Sequence, residues 1–281
     1  MVGVYVTPRV LILGGTSEAR RLAERLVGRA DVDVVSSLAG RVARPRMPAG
    51  EVRVGGFGGA TGLASWVDAH GIRVVIDATH PFAATISWNA AAAAAASHVP
   101  LLALRRAEWV PGEGDRWRDA TSLEDAALML PELGRRHFLT IGRQGVSSFA
   151  DVTNAWFLVR SVDPPEDPTP PQMELLLDRG PYSLDAEIAL MRGRRVDTVI
   201  TKNSGGEATS AKLMGARELG LPVVMVRRPA NPGGVPEVAD VDSAVEWVEA
   251  QIGGAHSSSL AIAFRAPQVI ALPPRRPWTT M

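Results

Sequence analysis

Short apolar runs alternate with stretches of helical period along most of this sequence, and they do so in two rounds. An uninterrupted apolar run of strand length is buried on both faces, which is the condition of a parallel sheet covered by helices. "RVLILGG" (9–15) reads as the first such strand, and "SEARRLAERLVG" then places Ala19, Leu22, Ala23 and Leu26 on one helical face. Strands follow at 32–37, 51–56 and 73–81, with the helix "TGLASWVDAHG" ahead of the last. An alanine-rich helix within 82–100 stops before Pro100 and leads into "LLALRR".

A second round begins after the polar stretch 108–117. "SLEDAALMLPEL", "YSLDAEIALMRG", "ATSAKLMGARELG" and "DSAVEWVEAQI" read as helices, and 137–142, 155–162, 197–203 and 222–229 as strands. The fold class is therefore α/β, with two parallel sheets of similar build rather than one very wide sheet. The boundary is expected near 130–135, giving one domain over 1–132 and another over 133–252. Residues 253–281, with "GGAHSSS" and "LPPRRPWTTM", show no period that extends a domain and read as a mobile tail.

Composition narrows the partners. At 281 residues and 46% hydrophobic, the chain can bury the core of one or two domains. Thirty basic residues balance thirty acidic ones, so no global field attracts nucleic acid or an acidic membrane. Cysteine is absent, which removes disulfides, thiolate chemistry and zinc ribbons, and no metal site is expected. No apolar run reaches the roughly 18 residues of a membrane span, and no signal peptide is recognisable, so a cytoplasmic protein is expected. Of the thirty basic residues only Lys202 and Lys212 are lysine, both in one short window.

In open parallel sheets, ligands sit beyond the carboxyl ends of the strands, so the loops after strands carry the chemistry. GGTSEA (14–19) follows a strand and opens a helix, where amides can face an anion. It departs from the dinucleotide pattern at Thr16, and a plain tight turn capped by Thr16 or Ser17 is the other reading. The second strand ends in Ser36 and Ser37 followed by "LAGR", without the acid that accepts from an NAD ribose. Hydroxyls with Arg41 suit a 2′-phosphate, so a dinucleotide here would be NADPH rather than NADH. GGFGG (55–59) lets backbone approach a ligand, with Phe57 able to cover a ring. DATHPFA (77–83) sets Asp77, Thr79 and His80 before a helix that starts with Pro81. His80 could donate a proton to a ligand or simply cap. In TKNSGG (201–206), Lys202 ends a strand, Asn203 and Ser204 can hydrogen-bond, and Lys212 lies early in the next helix, where both lysines could meet one anion.

With these residues assembled, the chain resembles the precorrin-6A reductases of cobalamin biosynthesis. The matching stretches are "LGGTSEARRLA", "SLAGR", "VRVGGFGG", "DATHPFA", "GPYSLDAEIALM" and "TKNSGGEATSAKLMGARELGLPVVMVRRP", in the family's order over about 9–250. The resemblance implies two Rossmann-like halves with the active-site cleft between them, and NADPH-dependent reduction of precorrin-6A to precorrin-6B. It implies a cofactor site at Gly14, Gly15, Thr16, Ser17, Glu18, Ser37, Arg41, Gly55, Gly56, Phe57, Thr79 and Pro81. The tetrapyrrole's acetates and propionates need fixed cations, for which Arg105, Arg106, Arg143, Lys202 and Lys212 are candidates beside Asn203 and Ser204. His80 is the candidate proton donor, with solvent or the macrocycle itself as alternatives.

Two rivals stand against this. A short-chain dehydrogenase needs Tyr-x-x-x-Lys, but Tyr5 and Tyr182 are followed at that spacing by Arg9 and Ala186. A non-catalytic NADP(H) sensor would need the first-half loops alone, and would bind NADPH without tetrapyrrole affinity.

Overall fold

The structure, a computed structural model, describes residues 7–253 together with Ile270 and Ala271. In chain order the first elements are β1 (Arg9–Leu13), α1 (Ser17–Val27), β2 (Asp33–Leu38), β3 (Glu51–Val54) and α2 (Gly59–Ala69). They continue with β4 (Ile72–Asp77), α3 (Ala84–Ala96) and β5 (Leu101–Leu104). Next come β6 (Trp109–Val110), β7 (Arg116–Ala120), α4 (Leu123–Met129), β8 (Arg136–Thr140), β9 (Trp156–Ser161) and β10 (Met173–Leu177). The chain ends through α5 (Leu184–Gly193), β11 (Thr198–Lys202), α6 (Ala211–Glu218), β12 (Pro222–Val226), β13 (Glu237–Val238) and α7 (Val241–Gly253). A two-residue strand, β14 (Ile270–Ala271), pairs with β6.

Two six-stranded parallel sheets result, in the orders β13-β5-β4-β1-β2-β3 and β10-β9-β8-β11-β12-β7. The first starts at its central strand β1, adds β2 and β3 to one side and then returns to add β4, β5 and β13 on the other; the second does the same from β8, with the earlier strand β7 placed at the far edge beside β12. That is the winding of dinucleotide-binding sheets. Both sheets owe their parallel register to matched apolar residues. Leu11 lies opposite Val35 and Val75 in the first, and Leu139 opposite Val159 and Ile200 in the second.

Alternate side chains of the first sheet feed two cores. Val10, Ile12, Val34 and Ile76 pack with Leu22 and Leu26 of α1 and with Trp247 and Val248 of α7. Leu11, Leu13, Val35 and Val75 pack with Leu63 and Val67 of α2 and with Ala90, Ala93 and Ala94 of α3. The alanine run is thus partly a buried face of small side chains. In the second sheet Phe138, Leu158, Val199 and Met225 pack with Met191 of α5 and Leu213 of α6. Each fully buried Leu or Phe contributes roughly 1.5–3 kcal/mol.

The compact units differ from the single boundary expected between 132 and 133. One unit runs to Arg106 and resumes at Pro229, and the other is formed from Ala107–Arg228. Strand β7, "RWRDA", belongs to the second sheet, and β13 and α7 return to the first. Periodicity misses β7 because it is an edge strand with mostly solvated side chains. It also cannot say which sheet a terminal helix will cover. Strand β10 is likewise half-buried at an edge and carries no clear strand signal. The helix expected over "SLEDAALMLPEL" ends as α4, and a 3-10 turn at Leu130–Glu132 takes in Pro131. The expected mobile tail lies outside the described residues, apart from Ile270 and Ala271. Among the described residues no helix is long and apolar enough to cross a membrane, and no cluster of metal-ligating side chains occurs.

One core residue is titratable. His137 of β8 is fully buried between Thr198 and Phe157, and neither ring nitrogen has a hydrogen-bond partner. Burial pushes its pKa down to about 4, against the opposing pull of Asp197. The unfolded chain, with an ordinary imidazole, then binds the proton more readily than the folded one. Stability from this group is complete above about pH 6.5 and falls as pH drops toward about 4, by on the order of 2–3 kcal/mol. Urea midpoints of His137→Leu followed over that range should lack this limb; a wild-type limb that persists unchanged in the variant would show another group responsible.

Candidate functional site

In the first sheet the winding reverses between β1 and β4, so their carboxyl ends open the crevice where ligands bind in such folds. Thr16 ties the two loops together. Its hydroxyl donates to the Ala78 carbonyl at 2.7 Å and accepts from the Ala19 amide at 3.1 Å, capping α1. The side chain that replaces the second glycine is therefore a structural clasp, as the capping reading has it. Gly15 beside it has φ +117°, and no heavy atom lies within 4 Å of where a Cβ would stand. Backbone conformation, not crowding, requires glycine there. The first-turn amides of α1 have no intrahelical acceptor, which is what an anion meets at a helix start.

Ser17 donates to Glu18 at 3.1 Å, and Glu18 also receives Arg21 and Arg106, the latter at 3.1 Å. Across the crevice, Asp77 is buried at the end of β4. One of its oxygens accepts from the Thr79 amide at 3.1 Å and from the Thr79 hydroxyl at 2.6 Å. The other accepts from Arg105 at 3.1 Å. Thr16, Glu18, Thr79, Pro81, Leu104, Arg105 and Arg106 line the resulting crevice. His80 accepts from the Phe82 amide through Nδ1 at 3.2 Å, so the neutral ring carries its proton on Nε2.

The ends of β2 and β3 sort the expected phosphate site. Ser36 is buried with its hydroxyl unpartnered, on the α1 side of the sheet alongside Ile12. Ser37 points the other way, and its hydroxyl accepts from Arg53 at 2.9 Å. Arg53 also donates to the carbonyls of Gly55 at 2.9 Å and Gly56 at 3.0 Å, and its guanidinium lies 3.7 Å from the Phe57 ring centre. Burial pushes its pKa down. Sequence reading passed over Arg53, because only the pairing of Ser37 with Arg53 across β2 and β3 brings it to this place. Arg41 sits on the exposed loop after β2.

In the second sheet the reversal falls between β8 and β11. Gly142 (φ +77°) leads from β8 into a 3-10 turn that starts with Arg143, which is half-buried and 3.4 Å from Glu166. After β11, Asn203 is buried. Its Oδ1 accepts from the Trp109 amide at 2.9 Å and its Nδ2 donates to the Trp109 carbonyl at 3.0 Å. Arg228 donates to the carbonyls of Asn203 at 2.8 Å and Ser204 at 3.2 Å. Gly205, at φ +68°, would press a Cβ to 2.0 Å from the Ala107 carbonyl, so only glycine fits.

The expected substrate residues therefore divide. Arg105 is 4% exposed and bonded to Asp77 and to Ser87 at 2.9 Å. Lys212 is also 4% exposed. Its ammonium donates to the Thr209 carbonyl at 2.7 Å and lies 4.8 Å from the Trp109 ring centre. Asn203 is taken up by Trp109, whose backbone needs a partner beyond the end of β11. All three hydrogen-bond within the protein and brace the loops, Arg105 doing so at the lining of the crevice. Lys202, Ser204 and Arg143 remain half-buried at the carboxyl ends of β11 and β8, and burial pushes the Lys202 pKa down.

The comparisons agree with this geometry. The family described as precorrin-6x reductase CbiJ/CobK matches residues 9–249. A precorrin-6A reductase of Rhodococcus erythropolis is 56% identical over 240 residues, covering 85% of this chain and 97% of its own. A cobalt-precorrin-6A reductase of Priestia megaterium is 30% identical, covering 78% and 90%. The solved structure of a CobK precorrin-6A reductase superposes with TM-score 0.81 at 41% identity, covering 87% of this chain and 97% of that one. With two sheets of this winding, glycine loops at both reversals and a match spanning nearly all the described residues, the chain belongs to the CbiJ/CobK precorrin-6x reductase family.

Proposed function

We propose that this chain reduces precorrin-6A to precorrin-6B with NADPH as the hydride donor. The 56% identity to a relative named precorrin-6A reductase, over nearly the whole of that protein, carries the reading. Identity to the relative named for the cobalt-bearing substrate is lower, at 30%, which favours the metal-free macrocycle.

The residues fit a phosphorylated dinucleotide. Gly15, Gly55 and Gly56 have open space where side chains would stand, and β2 ends in serine and leucine instead of an acid. The loop from Gly14 to Glu18 would face the pyrophosphate, with the amides at the α1 start as donors and Thr16 holding the loop shape. Gly55, Gly56, Phe57, Thr79 and Pro81 would line the same side, and Ser37 and Arg41 would meet the adenosine ribose. When bound, the nicotinamide supplies the hydride. The chain's own part is to hold the reactants and exclude water. Arg143, Lys202 and Ser204 would bind carboxylates of the macrocycle, while His80 would offer the proton on Nε2.

Anaerobic incubation of the protein with precorrin-6A and NADPH tests the reading. Nicotinamide absorbance should fall only when both are present, with a product heavier than the substrate by two hydrogens. NADPH that stays unoxidised beside authentic precorrin-6A would overturn it.

Two substitutions separate substrate cations from structural ones. Lys202→Ala should raise KM about tenfold or more with NADPH affinity and melting temperature nearly unchanged, since one charge-assisted contact is lost. Arg105→Met should lower stability by on the order of 3 kcal/mol, because it strands the buried Asp77 carboxylate. An Arg105→Met protein that melts like wild type and shows only a raised KM would return Arg105 to the substrate.

A further inference from the structure

We propose that Arg53 is the residue that selects a 2′-phosphorylated nucleotide, receiving the phosphate on the donors it leaves open beside Ser37. The inference rests on the nicotinamide-cofactor reading above. Its starting point is an uncompensated cation: among the described residues no carboxylate pairs with Arg53, and its hydrogen bonds go to one hydroxyl and two carbonyls. Those bonds use both hydrogens of Nη1 and one of Nη2. The Nε hydrogen and the second Nη2 hydrogen have no acceptor among the described residues. Nε and Nη2 are neighbouring donors on one guanidinium, a fork that suits two oxygens of a phosphate.

Place decides which phosphate. The end of β2 is where dinucleotide folds meet the adenosine ribose, with an acid for a free 2′-hydroxyl and an arginine for a 2′-phosphate. Here Ser37 occupies that strand end, and the β2–β3 register sets Arg53 directly beside it. The guanidinium is also held ready. Phe57 lies under it at 3.7 Å, and Trp66 is 5.6 Å away. The Gly55 and Gly56 carbonyls fix its rotation, so little side-chain freedom is lost on binding. The downward push on its pKa has the same origin, a charge partly removed from water without a counter-charge. Arg41, on an exposed loop, is secondary.

Calorimetry with 2′,5′-ADP and 5′-AMP reads the phosphate apart from catalysis. Wild type should bind 2′,5′-ADP the more tightly. Arg53→Gln should cut that preference on the order of tenfold or more, and Arg41→Ala should cut it less. Arg53→Lys, which keeps the charge and loses the fork, should fall between wild type and Arg53→Gln. Ser37→Asp, placing a carboxylate against the guanidinium, should abolish the preference and bring NADH binding level with NADPH. Equal losses for both nucleotides in Arg53→Gln would show that Arg53 merely props the glycine loop and would overturn the proposal. So would an unchanged preference in Arg53→Gln and Ser37→Asp. A wild type that binds neither 2′,5′-ADP nor NADPH would overturn the cofactor reading itself, whereas a preference untouched by Arg53→Gln overturns only this assignment.

Discussion

A parallel sheet wound by right-handed crossovers that adds strands on both sides of one central strand must reverse direction once, and at the reversal two neighbouring loops leave toward opposite faces. That constraint opens a gap at the carboxyl edge between β1 and β4 in one sheet and between β8 and β11 in the other. The loops bordering these gaps hold most of the residues to which chemistry is assigned. The protein then has to keep each gap from collapsing or fraying. In the first sheet one hydroxyl, on Thr16, joins the two loops and caps the helix between them. In the second, Asn203 and Arg228 fasten the loop after β11, and Gly205 lets it pass against the Ala107 carbonyl.

Arginine serves two opposite purposes in this chain, and the acid beside it distinguishes them. Arg105 with Asp77, Arg160 with Glu187 and Arg217 with Asp115 are buried pairs. Each joins elements remote in sequence: β5 to β4, β9 to α5, and α6 to the segment before β7. Such pairs add little net stability, because desolvation offsets their attraction, but breaking one leaves an unpaired buried charge. Their effect is to penalise wrong packing. Arg53 has the same chemistry with no acid beside it among the described residues, its hydrogen bonds going to one hydroxyl and two carbonyls. Lys212 belongs with the first group in spirit, its ammonium covered by the Trp109 ring and turned to a carbonyl of its own helix start.

Several sequence signals proved sufficient because they are local. The glycines at 14–15 and 55–56 mark turns after strands whatever the distant packing does, and "RVLIL" must be buried because it has no polar side to show beyond its first residue. Edge strands gave no comparable signal. β7 is solvated along most of its length and reads as loop. The surroundings of Arg105 are hidden in the sequence for a related reason: a cation after a strand looks the same whether or not an acid waits beside it.

By itself, then, the amino-acid order determined that the chain forms parallel α/β sheets, where the glycine-rich loops after their strands lie, and the family to which the chain belongs. Burial on both faces and positive φ angles impose residue types that can be read one short stretch at a time. Tertiary structure alone decided that β13 and α7 complete the first sheet, that Asp77 neutralises Arg105, and that β2–β3 register brings Arg53 to Ser37. Each of these depends on distances between residues far apart in the chain, and periodicity carries no information about such distances.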